Sequence, residues 1–138
     1  MFTSTILAVS LWAASAPKAD KLPEKPYAFD TAGTTKALKN GQKGALRLVI
    51  KPASGFKISR EAPLNITLAS KGLELSKSKL GQKDAADTTT TSPEFAVEFT
   101  GKQLGPQAIE AHASFFVCNE TLCERKTDTL TVAITVDP

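Results

Sequence analysis

The chain has 138 residues, 41% of them hydrophobic, with 17 basic and 14 acidic side chains and a formal net charge of +3. That is enough for one domain with a real core and too little for two cores of ordinary size. The lysines are scattered rather than massed, which argues against a nucleic-acid surface, where positive charge is concentrated.

Ile6 to Ala14 is an apolar run, and the small residues Ala14-Ser15-Ala16 behind it have the look of a secretory cleavage site. The run is far shorter than the roughly 20 residues of a membrane span. Residues 1–16 therefore read as a signal or leader segment, or else as an N-terminal arm. The mature chain is expected to be periplasmic or otherwise exported, without membrane insertion. No cysteine follows the run, so a lipid anchor has no attachment point.

Residues 17–41 read as an N-terminal linker, since Pro17, Pro23, Pro26, Gly33 and Gly41 interrupt it, with Tyr27-Ala28-Phe29 as an edge strand. The domain proper is expected over 42–138. Leu46, Leu48 and Ile50 alternate on one side of a strand that Pro52 ends. Ser54 to Ser59 reads as a turn leading into a short extended piece with Phe56 and Ile58 inward. Pro63 opens another strand through Leu64, Ile66 and Leu68, and Gly72 to Leu80 continues the alternation with lysines that suit an edge. Gly81 to Ser92 is polar, threonine-rich and expected to be mobile. Phe95, Val97 and Phe99 share one face of the next strand.

Ile109–Cys118 and Cys123–Val136 are two alternating runs joined by Asn119-Glu120-Thr121-Leu122, the pattern of a long β-hairpin. Pairing Cys118 with Cys123 sets Val117 against Glu124, Ala111 against Leu130 and Ile109 against Val132. The apolar faces then stay together, and a slip of one residue would turn one apolar set outward. Both cysteines point away from the core face in this register, near Phe116 and Arg125, and partly accessible. A cross-strand disulfide is permitted there without being required.

About seven short strands and no amphipathic helix give an all-β, immunoglobulin-like two-sheet β-sandwich. The tryptophan and cysteine spacing of an antibody domain is missing, because Trp12 lies in the leader and the cysteines are local.

Gly55-Phe-Lys-Ile-Ser59, Ala62-Pro-Leu-Asn-Ile66, Phe95-Ala-Val-Glu-Phe99 and Ala113-Ser-Phe-Phe-Val-Cys118 with Cys123 together resemble a known family. It is the periplasmic amino-terminal domain of the thiol-disulfide interchange reductase DsbD and its free-standing relatives, and the likeness runs over about residues 42 to 136. The resemblance implies an immunoglobulin-like domain whose cross-strand cysteines take electrons from a membrane-embedded thiol domain and pass them to periplasmic disulfide proteins. Cys118 and Cys123 match that redox pair in place and order. Four residues separate them here against five in the well-known DsbD domain, so the loop geometry differs. The expected donor is a separate thioredoxin-like or membrane thiol-disulfide protein, since the membrane segment and thioredoxin-like module of the full protein are not in this sequence.

Exchange requires a thiolate to attack one sulfur and a second cysteine to resolve the mixed disulfide, so the two must be close and one reachable. Cys118 and Cys123 are the candidate catalytic residues, with Cys123, at the start of a strand, as the attacked sulfur. Arg125 would favour a thiolate while Glu120 and Glu124 would oppose it. The competing reading is a redox-inert exported interaction or assembly module in which the pair is a structural disulfide; metal-linked or unpaired cysteines form a third.

His112 shares a face with Cys118 but lies six residues upstream, about 20 Å along a strand, so it cannot join the cysteines around a metal. Neither a metal nor another cofactor is expected. Phe116 reads as a cap, a partner contact or an end-of-core position. Asn65-Ile-Thr67 and Asn119-Glu-Thr121 are formal glycosylation triplets, common by chance. No Ser-His-acid set, phosphate loop or dinucleotide fingerprint occurs, so no hydrolase or nucleotide-dependent activity is expected.

Overall fold

Apolar residues at every second position give each long strand one face for the interior, and the strands pair so that these faces meet. In the computed structural model, which describes residues 22–87 and 91–138, ten strands form two sheets. They are β1 (Tyr27–Asp30), β2 (Ala37–Lys39), β3 (Lys43–Pro52), β4 (Lys57–Ile58), β5 (Asn65–Ala69), β6 (Leu73–Leu75), β7 (Lys79–Leu80), β8 (Glu94–Gly101), β9 (Gly105–Cys118) and β10 (Cys123–Asp137). One sheet has the order β1-β3-β8-β6; the other runs β2-β10-β9-β5-β7, with β4 also against β9. The fold is the immunoglobulin-like two-sheet β-sandwich, and among the described residues the only helical turn is 3-10, at Gln82–Asp84.

Leu46, Leu48 and Ile50 of β3 and Phe95, Val97 and Phe99 of β8 fill one side of the core. Across from them stand Ile109, Phe115 and Val117 of β9, Val132, Ile134 and Val136 of β10, and Ile66 and Leu68 of β5. Each such side chain, fully buried, contributes about 1.5–3 kcal/mol. Gly44 lies opposite Phe99 in the β3–β8 pair, and a Cβ there would sit 2.9 Å from the Phe99 ring.

Three sequence expectations change. The edge strand at Tyr27 is present and pairs antiparallel with β3, but the rest of 22–41, expected as linker, is folded onto the sandwich. Leu22, Tyr27 and Leu38 are buried, and β2 runs parallel to the end of β10. These apolar residues are too far apart in sequence to make a period, so their burial is set by distant strands rather than by local pattern. Gly72–Leu80 is not one strand. β6 belongs to one sheet and β7 to the other, with Ser76 N–H donating to Glu98 and Ser78 accepting from Leu68 N–H on either side of the crossing. Both pieces lie at sheet edges, as their lysines suggest.

The described part of the 81–92 loop is anchored. Asp84 accepts from Gly81 N–H at 2.8 Å and pairs with Lys77 at 2.7 Å, while Gln82 Nε2 donates to the carbonyls of Ser59 and Ala62, each at 2.8 Å. The leader expected over 1–16, the first part of the linker, and Thr88 to Thr90 lie outside the described residues.

Candidate functional site

The hairpin link is shaped by one side chain. Asn119 Oδ1 accepts from Thr121 N–H at 2.9 Å and Leu122 N–H at 2.7 Å, and Asn119 N–H donates to Leu122 O at 2.9 Å. A short amide side chain that bonds its own backbone two residues on is what a tight turn asks for. Asn119 is thus committed to the turn, whereas Asn65 is exposed on β5.

This turn fixes the register expected from the faces: Cys118 lies opposite Cys123, Val117 opposite Glu124, Ala111 opposite Leu130 and Ile109 opposite Val132. The two sulfurs are bonded, with their Cα atoms 4.0 Å apart. Both sulfurs were expected to be partly accessible, with Cys123 the one open to attack; the structure keeps that order but buries Cys118. Cys118 is 3% exposed, while Cys123 is open to solvent. The difference comes from β4, which lies against the far side of β9 and sets Lys57 opposite Cys118.

Both cysteines line a cleft of about 290 Å³, together with Lys57, Ser59, Arg60, Glu61 and Thr91. A second hollow of about 230 Å³ runs along the other side of Cys118, past Phe56, Asn119 and Glu120. A third hollow, of about 600 Å³ between Ser70-Lys71 and the start of β9, lies away from the sulfurs and has no cysteine in its lining.

The charges near the pair are not placed as the sequence suggested. Glu124 faces inward, where its carboxylate accepts from Leu22 N–H at 2.6 Å and meets Lys126 at 3.3 Å. Arg125 leans along the strand to donate to Ser114 Oγ at 2.9 Å. Phe116 is half-buried beside it. His112 is exposed and sits 3.2 Å from Thr129 Oγ1 across the hairpin, apart from the cysteines. No group of three metal-ligating side chains occurs among the described residues.

Sequence reasoning missed a row of inward charges on β10. Glu124, Lys126 and Asp128 occupy positions where a core strand would carry apolar residues, and the segment from Leu22 to Tyr27 covers them. Lys126 Nζ donates to Pro23 O at 3.0 Å, and Asp128 receives the Tyr27 hydroxyl at 2.9 Å. The signal was the loss of apolar residues between Cys123 and Leu130 on the face that becomes apolar afterwards.

No family model matches the chain, and no curated protein matches it in sequence. Among solved structures it is similar to a lipoprotein from Bacteroides thetaiotaomicron, at 15% identity and a TM-score of 0.51, covering 88% of each chain. The likeness is one of fold. A conjugate transposon protein from Bacteroides vulgatus gives 15% identity and a TM-score of 0.46 over 87% of this chain and 92% of that one. Domains 4 and 5 of the S-layer protein SbsC give 16% identity and 0.42 over 80% of this chain, which spans about half (51%) of that one. Among the described residues no helix is long and apolar enough to cross a membrane.

Proposed function

We propose that the chain is an exported β-sandwich interaction or assembly module whose Cys118–Cys123 disulfide is structural. The observation that carries this reading is the burial of Cys118 where three strands meet: it is opposite Cys123 of β10 on one side and Lys57 of β4 on the other. A crosslink held there clamps the hairpin at its turn. Closing so short a loop contributes about 2 kcal/mol by the chain-entropy estimate. Export is supported by the leader-like run from Ile6 to Ala14 and by the disulfide itself, which belongs to oxidising compartments.

A second reading, the thiol-disulfide exchange implied by the DsbD resemblance, is favoured by the exposure of Cys123 on the wall of a cleft. A donor thiolate would attack Cys123 Sγ, forming a mixed disulfide and releasing Cys118 as the leaving thiolate. The donor's second thiol would then displace Cys123, leaving the pair reduced and the donor oxidised.

One titration separates the two. The oxidised chain is equilibrated with a thioredoxin-like dithiol, and the fraction reduced is read by thiol alkylation. A structural bond has a potential below about −300 mV and stays oxidised. Reduction within minutes, with a donor lacking its resolving cysteine trapped on Cys123, overturns the structural reading in favour of exchange.

A further inference from the structure

Among the described residues, strand β10 is paired along most of its length on one side only. Its backbone meets β9 over its whole length, whereas on the other side β2 reaches only Thr135, Val136 and Asp137. The 4.0 Å Cα separation of Cys118 and Cys123 marks a non-hydrogen-bonded pair. The odd-numbered residues of β10 therefore turn their N–H and C=O groups to the far edge. Thr135 bears out the parity, since its N–H donates to Lys36 O at 2.8 Å. From Arg125 to Ala133 the same edge has no backbone partner among the described residues. One amide there, that of Thr129, is met by a side chain, Asp128 Oδ1, at 2.8 Å.

An open edge is a template for another strand, and its side chains decide which strand it accepts. Glu124, Lys126 and Asp128 alternate in sign along the inner face, and their side chains are 24%, 13% and 26% exposed. An incoming strand that set like charges against them would be repelled in a partly buried setting, and one that set opposite charges there would gain. The chain's own β10 offers the complement. Antiparallel self-pairing must join odd residues to odd. With the two-fold axis at Thr127, Lys126 faces Asp128, Arg125 meets Thr129, Thr127 meets its own copy, and Glu124, held by Leu22 N–H and Lys126 of its own chain, lies opposite Leu130. An axis at Lys126 or Asp128 opposes like charges, one at Arg125 stacks two guanidinium groups, and one at Thr129 sets Asp128 against Leu130 and Lys126 against Val132, so that no charge of the row meets an opposite one.

We propose that the β10 edge is a self-association site at which two copies of this chain pair antiparallel about Thr127, joining their larger sheets into one. Asp128 Oδ2 keeps the Tyr27 hydroxyl and Lys25. Its Oδ1 exchanges Thr129 N–H for Lys126 of the second copy, and the freed N–H donates to Arg125 C=O of that copy. The contact is isologous and closes at two chains. It holds whether the disulfide is structural or exchanging.

The test uses the full chain with its disulfide intact, followed by sedimentation equilibrium and amide hydrogen exchange over a concentration series. The expected result is a mass rising from one chain to two. Exchange at Arg125, Thr127, Thr129 and Thr131 slows as concentration rises, while Ala133, beyond the paired stretch, stays fast. Thr127→Pro removes the central donor from an edge where no internal bond is lost, so the fold melts as before and association weakens about tenfold or more. Thr127→Lys opposes two ammonium groups across the axis and gives the same result without altering the backbone. A chain that stays monomeric at about 1 mM overturns the proposal. So does association untouched by both variants, or slow exchange at these amides that does not vary with concentration, which would mean another segment of the same chain covers the edge.

Discussion

Tyr27 donates its hydroxyl to Asp128 Oδ2 at 2.9 Å, joining the edge strand of one sheet to the terminal strand of the other. The Tyr27 ring is buried, edge-on to Phe115 with centroids 4.9 Å apart and to Phe29 at 5.5 Å. One residue thus contributes apolar packing to the core and a polar tie across it. Tyr27→Phe keeps the rings and removes the tie, at an expected cost of about 1–2 kcal/mol. Tyr27→Ala loses both, at about 3–5 kcal/mol. Urea unfolding of the two variants measures the difference; a Tyr27→Phe chain as stable as the parent would mean that the hydroxyl contributes nothing.

The same pair sets a pH dependence at both ends. Burial pushes the Asp128 carboxyl up, but the Tyr27 hydroxyl, Thr129 N–H and Lys25 outweigh it and hold the carboxyl below its usual range. Asp30 is lowered by Lys51 and Ala32 N–H, and Asp84 by Lys77 and Gly81 N–H. A depressed carboxyl stabilises the fold above its unfolded value of about 4, and that contribution is lost as pH falls through the lower folded value. Tyr27 goes the other way: burial, then Asp128, raise its pKa. Its contribution is complete below about pH 10 and is lost as pH rises further. Urea midpoints measured against pH should therefore be flat near neutrality and fall on both sides; no fall between about pH 4 and 2 would contradict the carboxylate account.

Gly44 is a packing requirement rather than a turn. A Cβ at this position would lie 2.9 Å from Phe99 Cε2 and Cζ and 3.0 Å from Thr35 Cβ. Phe99 is fully buried and has little room to withdraw. Gly44→Ala is expected to lower stability by about 1–3 kcal/mol. Calorimetry of the variant, with Gly41→Ala as a companion where the added carbon meets nothing, separates crowding from conformational effects.

Removing the crosslink with Cys118→Ala and Cys123→Ala should cost about 2 kcal/mol and leave the fold intact, because the Asn119 turn closes the same link by hydrogen bonds. Heteronuclear NMR of the double variant should keep the β9–β10 pairing, with changes confined to β4 and the link. Loss of the sandwich on this change would mean that the bond carries far more than loop closure.

Much of the sandwich was legible because β3, β5, β8, β9 and β10 each carry a period of two that is set locally. The hairpin register was readable for the same reason: one slip would have turned Phe115 and Val117 outward. Residues whose positions depend on distant partners were not readable. The edge strand at Tyr27 was read, but Leu22 and Leu38 belong to no local period, and the crossing at Ser76 is set by two different sheets. At the site, the cysteine pairing followed from local alternation and Cys123 was read as the attacked sulfur, but the burial of Cys118 was not legible, because the two-residue β4 that covers it comes from about sixty positions earlier in the chain.

The amino-terminal part of this molecule waits for the last strand to complete its contacts. Tyr27 and Asp128 are 101 residues apart, and β2 finds its partner only at Thr135 to Asp137. A chain that emerges amino end first, from a ribosome or through a translocation channel, therefore cannot close its sandwich until its final strand has arrived. Until then the apolar faces of β3 and β8 remain available to chaperones, and a stalled or clipped carboxyl end leaves β2 without its partner strand and Tyr27 without Asp128.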